Sequence, residues 1–232
     1  MLRVNLAQQI AAWLLPVLLA VTVHETAHGW VARRLGDRTA EMLGRLTLNP
    51  FKHIDPVGTI LVPGIMLLLP GSFIFGWAKP VPVDWRNFRH PKRDMAWVAL
   101  AGPVSNLLMA VAWALTARFA LGLSAENPVA LPLLFMGVAG MFINTLLMVL
   151  NLLPLPPLDG GRVLTGLLPG PYAYKFSRIE PYGFIILIAL LVTGVLGVVL
   201  WPVASLVLSM LASVAGMKAN YFQAILSALM NS

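Results

Sequence analysis

The chain has 232 residues, 59% of them hydrophobic and only 11% charged, with a mean hydropathy of +0.82. A typical soluble domain is about 25% charged, so this chain has too few polar side chains to cover a water-facing surface; a soluble enzyme, a coiled coil and a disordered tail are excluded, and lipid is the expected solvent. The net charge of +7 (16 basic, 9 acidic residues) raises the question of nucleic acid, and the absence of cysteine removes disulfides, thiolate ligands and a cysteine nucleophile.

A membrane-spanning helix needs about 20 mostly apolar residues. The first such stretch runs from Leu6 to Ala32. It follows Arg3 as a signal peptide would, but it is too long and carries ionisable groups toward its far end, so it reads as a retained helix. Val57 to Ala78 is apolar but interrupted by Pro63, Pro70 and Gly71, which fits either one distorted span or a re-entrant hairpin. Met95 to Ala117 and Val129 to Leu153 are the next two full-length candidates. Tyr182 to about Trp201 is the last, and the apolar run beyond it, through Pro202 to Gly216, leaves room for a shorter span. Asn220 to Ser232 has the pattern of a peripheral amphipathic helix or a dimer contact (Tyr221, Phe222, Ile225, Leu226, Leu229).

No repeat or linker divides the chain. The expectation is one integral-membrane domain over 1–232, with a core at about 6–165 and C-terminal helices at about 182–230. The fold class is an all-α polytopic membrane protein with about five or six membrane segments.

The basic residues are unevenly placed. Arg33, Arg34, Arg38, Arg45 and Lys52 follow the first span; Lys79, Arg86, Arg89, Lys92 and Arg93 precede the second long one; Arg162, Lys175 and Arg178 follow the third. The positive-inside rule assigns these loops to the cytoplasm and the Leu121 to Asn127 connection to the other side. Two successive basic loops on one side require Val57 to Ala78 to enter and leave by the same face, which favours the hairpin. The charge excess thus reflects topology and lipid headgroups, not nucleic acid.

Inside the first span stands His24-Glu25-Thr26-Ala27-His28. Ionisable groups in an apolar helix are costly and mark function. Residues i and i+4 share a helix face, so His24 and His28 can direct two imidazoles at one ion while Glu25 reaches a water beside it, the arrangement of a zinc hydrolase. A satisfied His pair in the bundle is the bland alternative, and it gives no reason for the adjacent Glu. A hydrolytic zinc takes a third protein ligand. His53 and His90 lie in basic, proline-flanked loops and read as solvated or headgroup-facing. Asp159 ends Asn151-Leu-Leu-Pro-Leu-Pro-Pro-Leu-Asp159-Gly160-Gly161, where three prolines stop the third span and two glycines permit a tight turn into another helix. Asp159 is either the cap of that helix or the third ligand, and its position on the same side as the His pair favours the ligand. From His24 to Arg33, at 1.5 Å per residue, the ion would lie about 13 Å inside the cytoplasmic boundary.

Among the amides, Asn151 can donate to an oxyanion or bond between helices, with little to choose between the two. Asn106 and Asn144 lean toward interhelical bonding, although Gly102-Pro103 before Asn106 suggests open backbone facing the site. An extended substrate could pair with a strand edge, and Glu41 to Leu48 and Gly76 to Val83 are candidates for a short edge β-hairpin near the site. Water must reach the site through a polar cavity, for which Val57 to Ala78 can form a wall. Trp30, Trp77, Trp85 and Trp97 read as interfacial anchors.

With these motifs in view, the sequence resembles the site-2 protease family of intramembrane zinc metalloproteases. The resemblance rests on His24-Glu-Thr-Ala-His28 in a first membrane helix and Asn151…Pro154…Leu158-Asp159-Gly160 downstream. Gly76-Trp-Ala-Lys-Pro-Val-Pro-Val83 and Ala101-Gly-Pro-Val-Ser-Asn106 resemble its compact bacterial branch, without PDZ or CBS domain. It spans about residues 20 to 165. It implies one Zn²⁺ on His24, His28 and Asp159, Glu25 as catalytic base, Asn151 as the substrate- or oxyanion-contacting amide, and hydrolysis of transmembrane protein substrates in the bilayer. It also implies a bacterial cytoplasmic membrane, with a regulatory membrane protein or a second copy as further partner. A metal-ion transporter and a catalytically silent adaptor are the alternatives; the first would spread its ligands along a path, and neither employs Glu25.

Overall fold

The computed structural model describes residues 4–62, 64–65, 76–124 and 126–230. Among these residues the regular elements are all helical. The first helix, α1 (Leu6–Arg34), starts with a capping box between Asn5 and Gln8 and ends with Arg33 and Arg34 in its last turn, where cations oppose the negative end of the helix dipole. A single turn, α2 (Thr39–Met42), and short helical turns at Pro50–His53, Pro56–Leu61 and Trp85–Asn87 follow. Pro91 opens α3 (Pro91–Leu121) at the first-turn position, where a missing N–H costs nothing. Next come α4 (Ala130–Asn151), α5 (Asp159–Leu167), α6 (Gly170–Ser177), α7 (Glu180–Val192), α8 (Val195–Val214) and α9 (Ala219–Met230).

Among the described residues four helices, α1, α3, α4 and α8, are long and apolar enough to cross a membrane. Their outward faces carry apolar side chains such as Leu108, Phe119 and Val198, 66%, 62% and 75% exposed. A water-soluble bundle would bury these; here acyl chains cover them.

Helices in lipid lack the hydrophobic drive that water supplies, so they associate through close packing of small residues. Ala110, Ala114 and Ala117 of α3 are wholly buried against α4. Gly137 and Gly140 of α4 are what permit the approach: a Cβ on Gly137 would lie 2.7 Å from that of Ala117, and one on Gly140 would lie 2.2 Å from the Trp113 ring. α1 packs against both, and α8 and α9 close the other side of α4.

Three expectations change here. The single span from Tyr182 to about Trp201 is two helices, because Gly194 adopts a left-handed φ of +76° that ends α7 after 13 residues and starts α8, which continues through Pro202. The C-terminal helix is amphipathic, but its apolar face (Phe222, Ile225, Leu226, Leu229) packs into this chain's own core instead of floating on a membrane surface. The Gln9 amide and Trp13 indole of α1 both donate to the Leu229 carbonyl at its end. No described residue is in a strand, so neither proposed edge segment is a β-hairpin. Glu41 sits in α2, and in Gly76 to Val83 the prolines at 80 and 82 remove ladder donors. Within Val57 to Ala78, residues 63 and 66–75 lie outside the described residues, but the two ends meet: Trp77 N–H donates to the Gly58 carbonyl at 3.0 Å, as in a segment that enters and leaves by one face.

Outside the bundle, buried Asp37 ties the loops together. Its carboxylate accepts from the Thr39 hydroxyl, the Asn87 amide and the Asp84 N–H. Burial pushes the Asp37 carboxyl up, but these bonds outweigh it and hold it below the ordinary carboxylate value.

Two outcomes are expected. Gly137→Val forces α3 from α4 and lowers unfolding stability in detergent by about 1–3 kcal/mol. Because the Asp37 carboxyl is depressed on folding, its contribution is present above the unfolded value of about 4 and fades as pH falls through the folded one. The stability gap between wild type and Asp37→Asn, measured by thermal unfolding, therefore narrows between pH 7 and pH 3.

Candidate metal centre

His24 and His28 stand one turn apart on α1 with their Nε2 atoms 3.1 Å from each other. Asp159, the first residue of α5, brings Oδ2 to 3.2 Å from His24 Nε2 and 3.3 Å from His28 Nε2. Asp159 is not the cap of its helix; Leu158 is. Its delivery depends on close backbone approach: a Cβ on Gly160 would lie 2.3 Å from the Leu152 carbonyl, and one on Gly161 would lie 2.3 Å from Pro156 N. Neither glycine has a positive φ, so the pair serves by lacking side chains and not through conformational freedom.

One face of α3 orients both imidazoles through residues spaced by four. His28 Nδ1–H donates to the Val98 carbonyl at 2.7 Å. His24 Nδ1–H donates to Asn106 Oδ1 at 2.6 Å. Asn106 has no choice of orientation, since its NH₂ donates to the Ala20 carbonyl at 3.2 Å and to Asn144 Oδ1 at 3.0 Å. Between them Gly102 leaves space for the rings: a Cβ there would fall 2.5 Å from both His24 Cε1 and His28 Nε2.

With both Nδ1 atoms protonated, both Nε2 atoms present lone pairs, and so does the buried Asp159 Oδ2, which has no hydrogen-bond donor. Three such atoms at 3.1–3.3 Å repel one another unless a cation lies between them. A tetrahedral zinc with bonds of about 2.0–2.1 Å sets its donors about 3.3 Å apart. The residues fit the ion. Among the described residues this is the one group of three or more His, Cys, Asp or Glu that could hold a metal.

The Glu25 carboxylate is held by a main-chain amide: its Oε2 accepts the Val81 N–H at 2.8 Å. Asn151, at the end of α4, donates one amide hydrogen to the Leu147 carbonyl at 3.0 Å. His90 is exposed at the start of α3, as expected, but His53 is not solvated. It is 3% exposed, because its Nε2–H donates to the Thr47 carbonyl, which also accepts from Thr26 of α1. Trp30, Trp77, Trp85 and Trp97 are 37–59% exposed. A cavity of about 1050 Å³ lies between α1, α4, α7 and α8, walled in part by Gly58, Thr59 and Trp77. Residues 58, 59 and 76–78 of the Val57 to Ala78 element do form part of the wall, but the lining is apolar apart from a few groups such as Thr22, His53 and Thr59. Its walls suit hydrocarbon side chains better than a column of water.

Sequence reasoning missed the Val98 carbonyl and underrated Asn106. A main-chain acceptor leaves no trace in residue type. The four-residue spacing of 98, 102 and 106 was readable, but only once the facing helix was known.

The match to known proteins agrees with this chemistry. The model of peptidase family M50 matches residues 122–194. YwhC of Bacillus subtilis is 42% identical over 188 residues, 80% of this chain and 82% of its own, and Rip2 of Mycolicibacterium smegmatis is 33% identical over 190 residues, 81% and 67%; both are named as zinc metalloproteases. The regulator of sigma-E protease RseP of Escherichia coli is 29% identical over 126 residues, 52% of this chain and 27% of its own. No solved structure matches. The chain belongs to peptidase family M50 and is an intramembrane zinc metalloprotease of the site-2 type.

Replacing Asn106 by Ala frees the His24 ring and leaves its Nδ1–H buried without a partner. Zinc affinity, measured by chelator competition, is expected to fall about 10- to 100-fold.

Proposed function

We propose that His24 Nε2, His28 Nε2 and Asp159 Oδ2 hold the zinc ion, one per chain, and that Glu25 is the catalytic base. The observation that carries this reading is the convergence of three lone-pair atoms at 3.1–3.3 Å with both Nδ1 atoms already committed elsewhere. Zinc, when bound, supplies Lewis acidity that brings water toward deprotonation near neutral pH and polarises a carbonyl. Glu25 accepts the proton from the attacking water and passes it to the departing amine nitrogen as the peptide bond breaks. Asn151 keeps a second amide hydrogen beyond the one given to Leu147, and we assign it to the developing oxyanion.

The substrates are transmembrane proteins, hydrolysed with the substrate segment unwound. The 1050 Å³ apolar cavity beside α1 suits such a segment. The chain is a single metalloprotease domain over 1–232, with its catalytic core at about 6–165 and the C-terminal helices at about 182–230. By the positive-inside rule the basic ends that follow α1 and precede α3 lie in the cytoplasm, which sets the site toward that face of a bacterial cytoplasmic membrane. Gating by a regulatory membrane protein or a second copy completes the reading. A transporter would need donors along a path, and among the described residues the candidate donors form a single cluster.

The test is Glu25→Gln in the full chain, assayed on a model transmembrane peptide. Cleavage is expected to fall about 10²- to 10⁴-fold with zinc content unchanged. Normal cleavage would remove Glu25 from the mechanism, and lost zinc would place it among the ligands.

A further inference from the structure

The segment after the Val57 to Ala78 stretch is fastened in a periodic way. Alternate main-chain N–H groups donate inward: Trp77 to the Gly58 carbonyl at 3.0 Å, Lys79 to the His53 carbonyl at 2.9 Å, and Val81 to Glu25 Oε2 at 2.8 Å. Pro80 and Pro82 have no N–H, so Val81 carries the one amide hydrogen of that tripeptide. Its side chain is buried and fills a notch at Gly29, one turn beyond Glu25 on α1; a Cβ on Gly29 would lie 2.9 Å from Val81 Cγ1. From the other side the Arg45 guanidinium donates to the Lys79 and Pro80 carbonyls at 3.0 and 3.4 Å. Just downstream, Asp37 receives the Asp84 N–H at 2.8 Å.

A glutamate turns about three side-chain bonds, and a base acts only within hydrogen-bond reach of the proton it removes. Nothing on α1 itself fixes the Glu25 carboxylate; the fastened segment does. We propose that the Val81 main-chain amide is the positioning group of the base: the Pro80–Val81–Pro82 latch, seated in the Gly29 notch, holds Glu25 Oε2 so that Oε1 meets the attacking water. The base is competent only while this segment is seated on α1. This rests on the assignment of Glu25 made above. The prolines contribute by limiting the freedom of the backbone on both sides of the one amide that matters.

The experiment uses the full zinc-loaded chain in three forms: wild type, Gly29→Ala and the double variant Gly29→Ala/Val81→Ala. The single change pushes the Val81 side chain out of its notch; the second shortens that side chain, keeps the amide and restores the fit. Three quantities are measured: kcat and KM on a model transmembrane peptide, zinc content, and hydrogen exchange of a peptide spanning 80–82, which reports Val81 alone because its neighbours are prolines.

Gly29→Ala is expected to lower kcat about 10- to 100-fold, with KM and zinc content unchanged and Val81 exchange accelerated. The double variant is expected to recover kcat and exchange to within about threefold of wild type. Normal kcat despite rapid exchange overturns the proposal, as does loss of kcat with the amide still protected. Zinc lost in step with kcat also overturns it, by giving the segment a purely structural role. Glu25→Gln run alongside separates the two levels: if that variant cleaves normally, the assignment of the base is itself wrong, whereas its inactivity beside an indifferent Gly29→Ala refutes the latch alone.

Discussion

Three lone pairs forced together in a medium that cannot hydrate them are the constraint on which this architecture depends. In water, two imidazoles and a carboxylate could turn apart and be solvated; within lipid they cannot, and the surrounding helices hold them at 3.1–3.3 Å. A cation at the centre of this donor set relieves the repulsion of its lone pairs, so metal binding and the stability of this region are coupled. α3 bears most of the load. It supplies an acceptor for each Nδ1–H and, at Gly102, the absence of a side chain where any Cβ would strike both rings. Asn106 joins the His24 ring to the core, because its amide also binds α1 and α4.

The same economy of volume runs through the rest of the bundle. The Ala110, Ala114 and Ala117 stripe meets Gly137 and Gly140, and contact between α3 and α4 brings Asn144 to Asn106. Packing of small residues is therefore not separate from chemistry here. The distance between these two helices sets where Asn106 stands, and Asn106 sets the tautomer of His24. Asp159 reaches the site in a similar manner, through glycines that let α5 rise against the carbonyls of residues 152 and 153.

Around the centre the polar and apolar roles are divided. α3 orients the two imidazoles from one side of α1, and the segment from Trp77 to Asp84 meets Glu25 from another. Beyond them lies a large apolar cavity bounded by helices whose outer faces meet lipid. Such a cavity receives a hydrophobic chain more readily than water. The supply of water and the admission of substrate are thus distinct problems for a protease of this kind, and residues 58, 59 and 76–78 border the apolar cavity.

The sequence by itself determined the solvent, the class and the chemistry. Lipid followed from composition, and the long spans followed from apolar runs of helical length. His24, Glu25 and His28 followed from a spacing whose geometry is fixed within one helical turn. Asp159 was legible because prolines and glycines are rare in spans and each has a physical reason to be there. What only the tertiary structure decided was everything that joins distant segments: the Val98 carbonyl, the commitment of Asn106 to His24, the burial of His53, the break of the last apolar run at Gly194, and the meeting of Val81 with Glu25. The reason is common to all but the break and the Asn106–His24 pairing, which needed the facing of α1 and α3. Residue type shows what a side chain can do, whereas main-chain donors and acceptors are alike at every position, and a missing Cβ matters only where another helix comes near. At Gly194 the sequence permits a left-handed turn, and packing of α7 and α8 into one apolar cluster selects it.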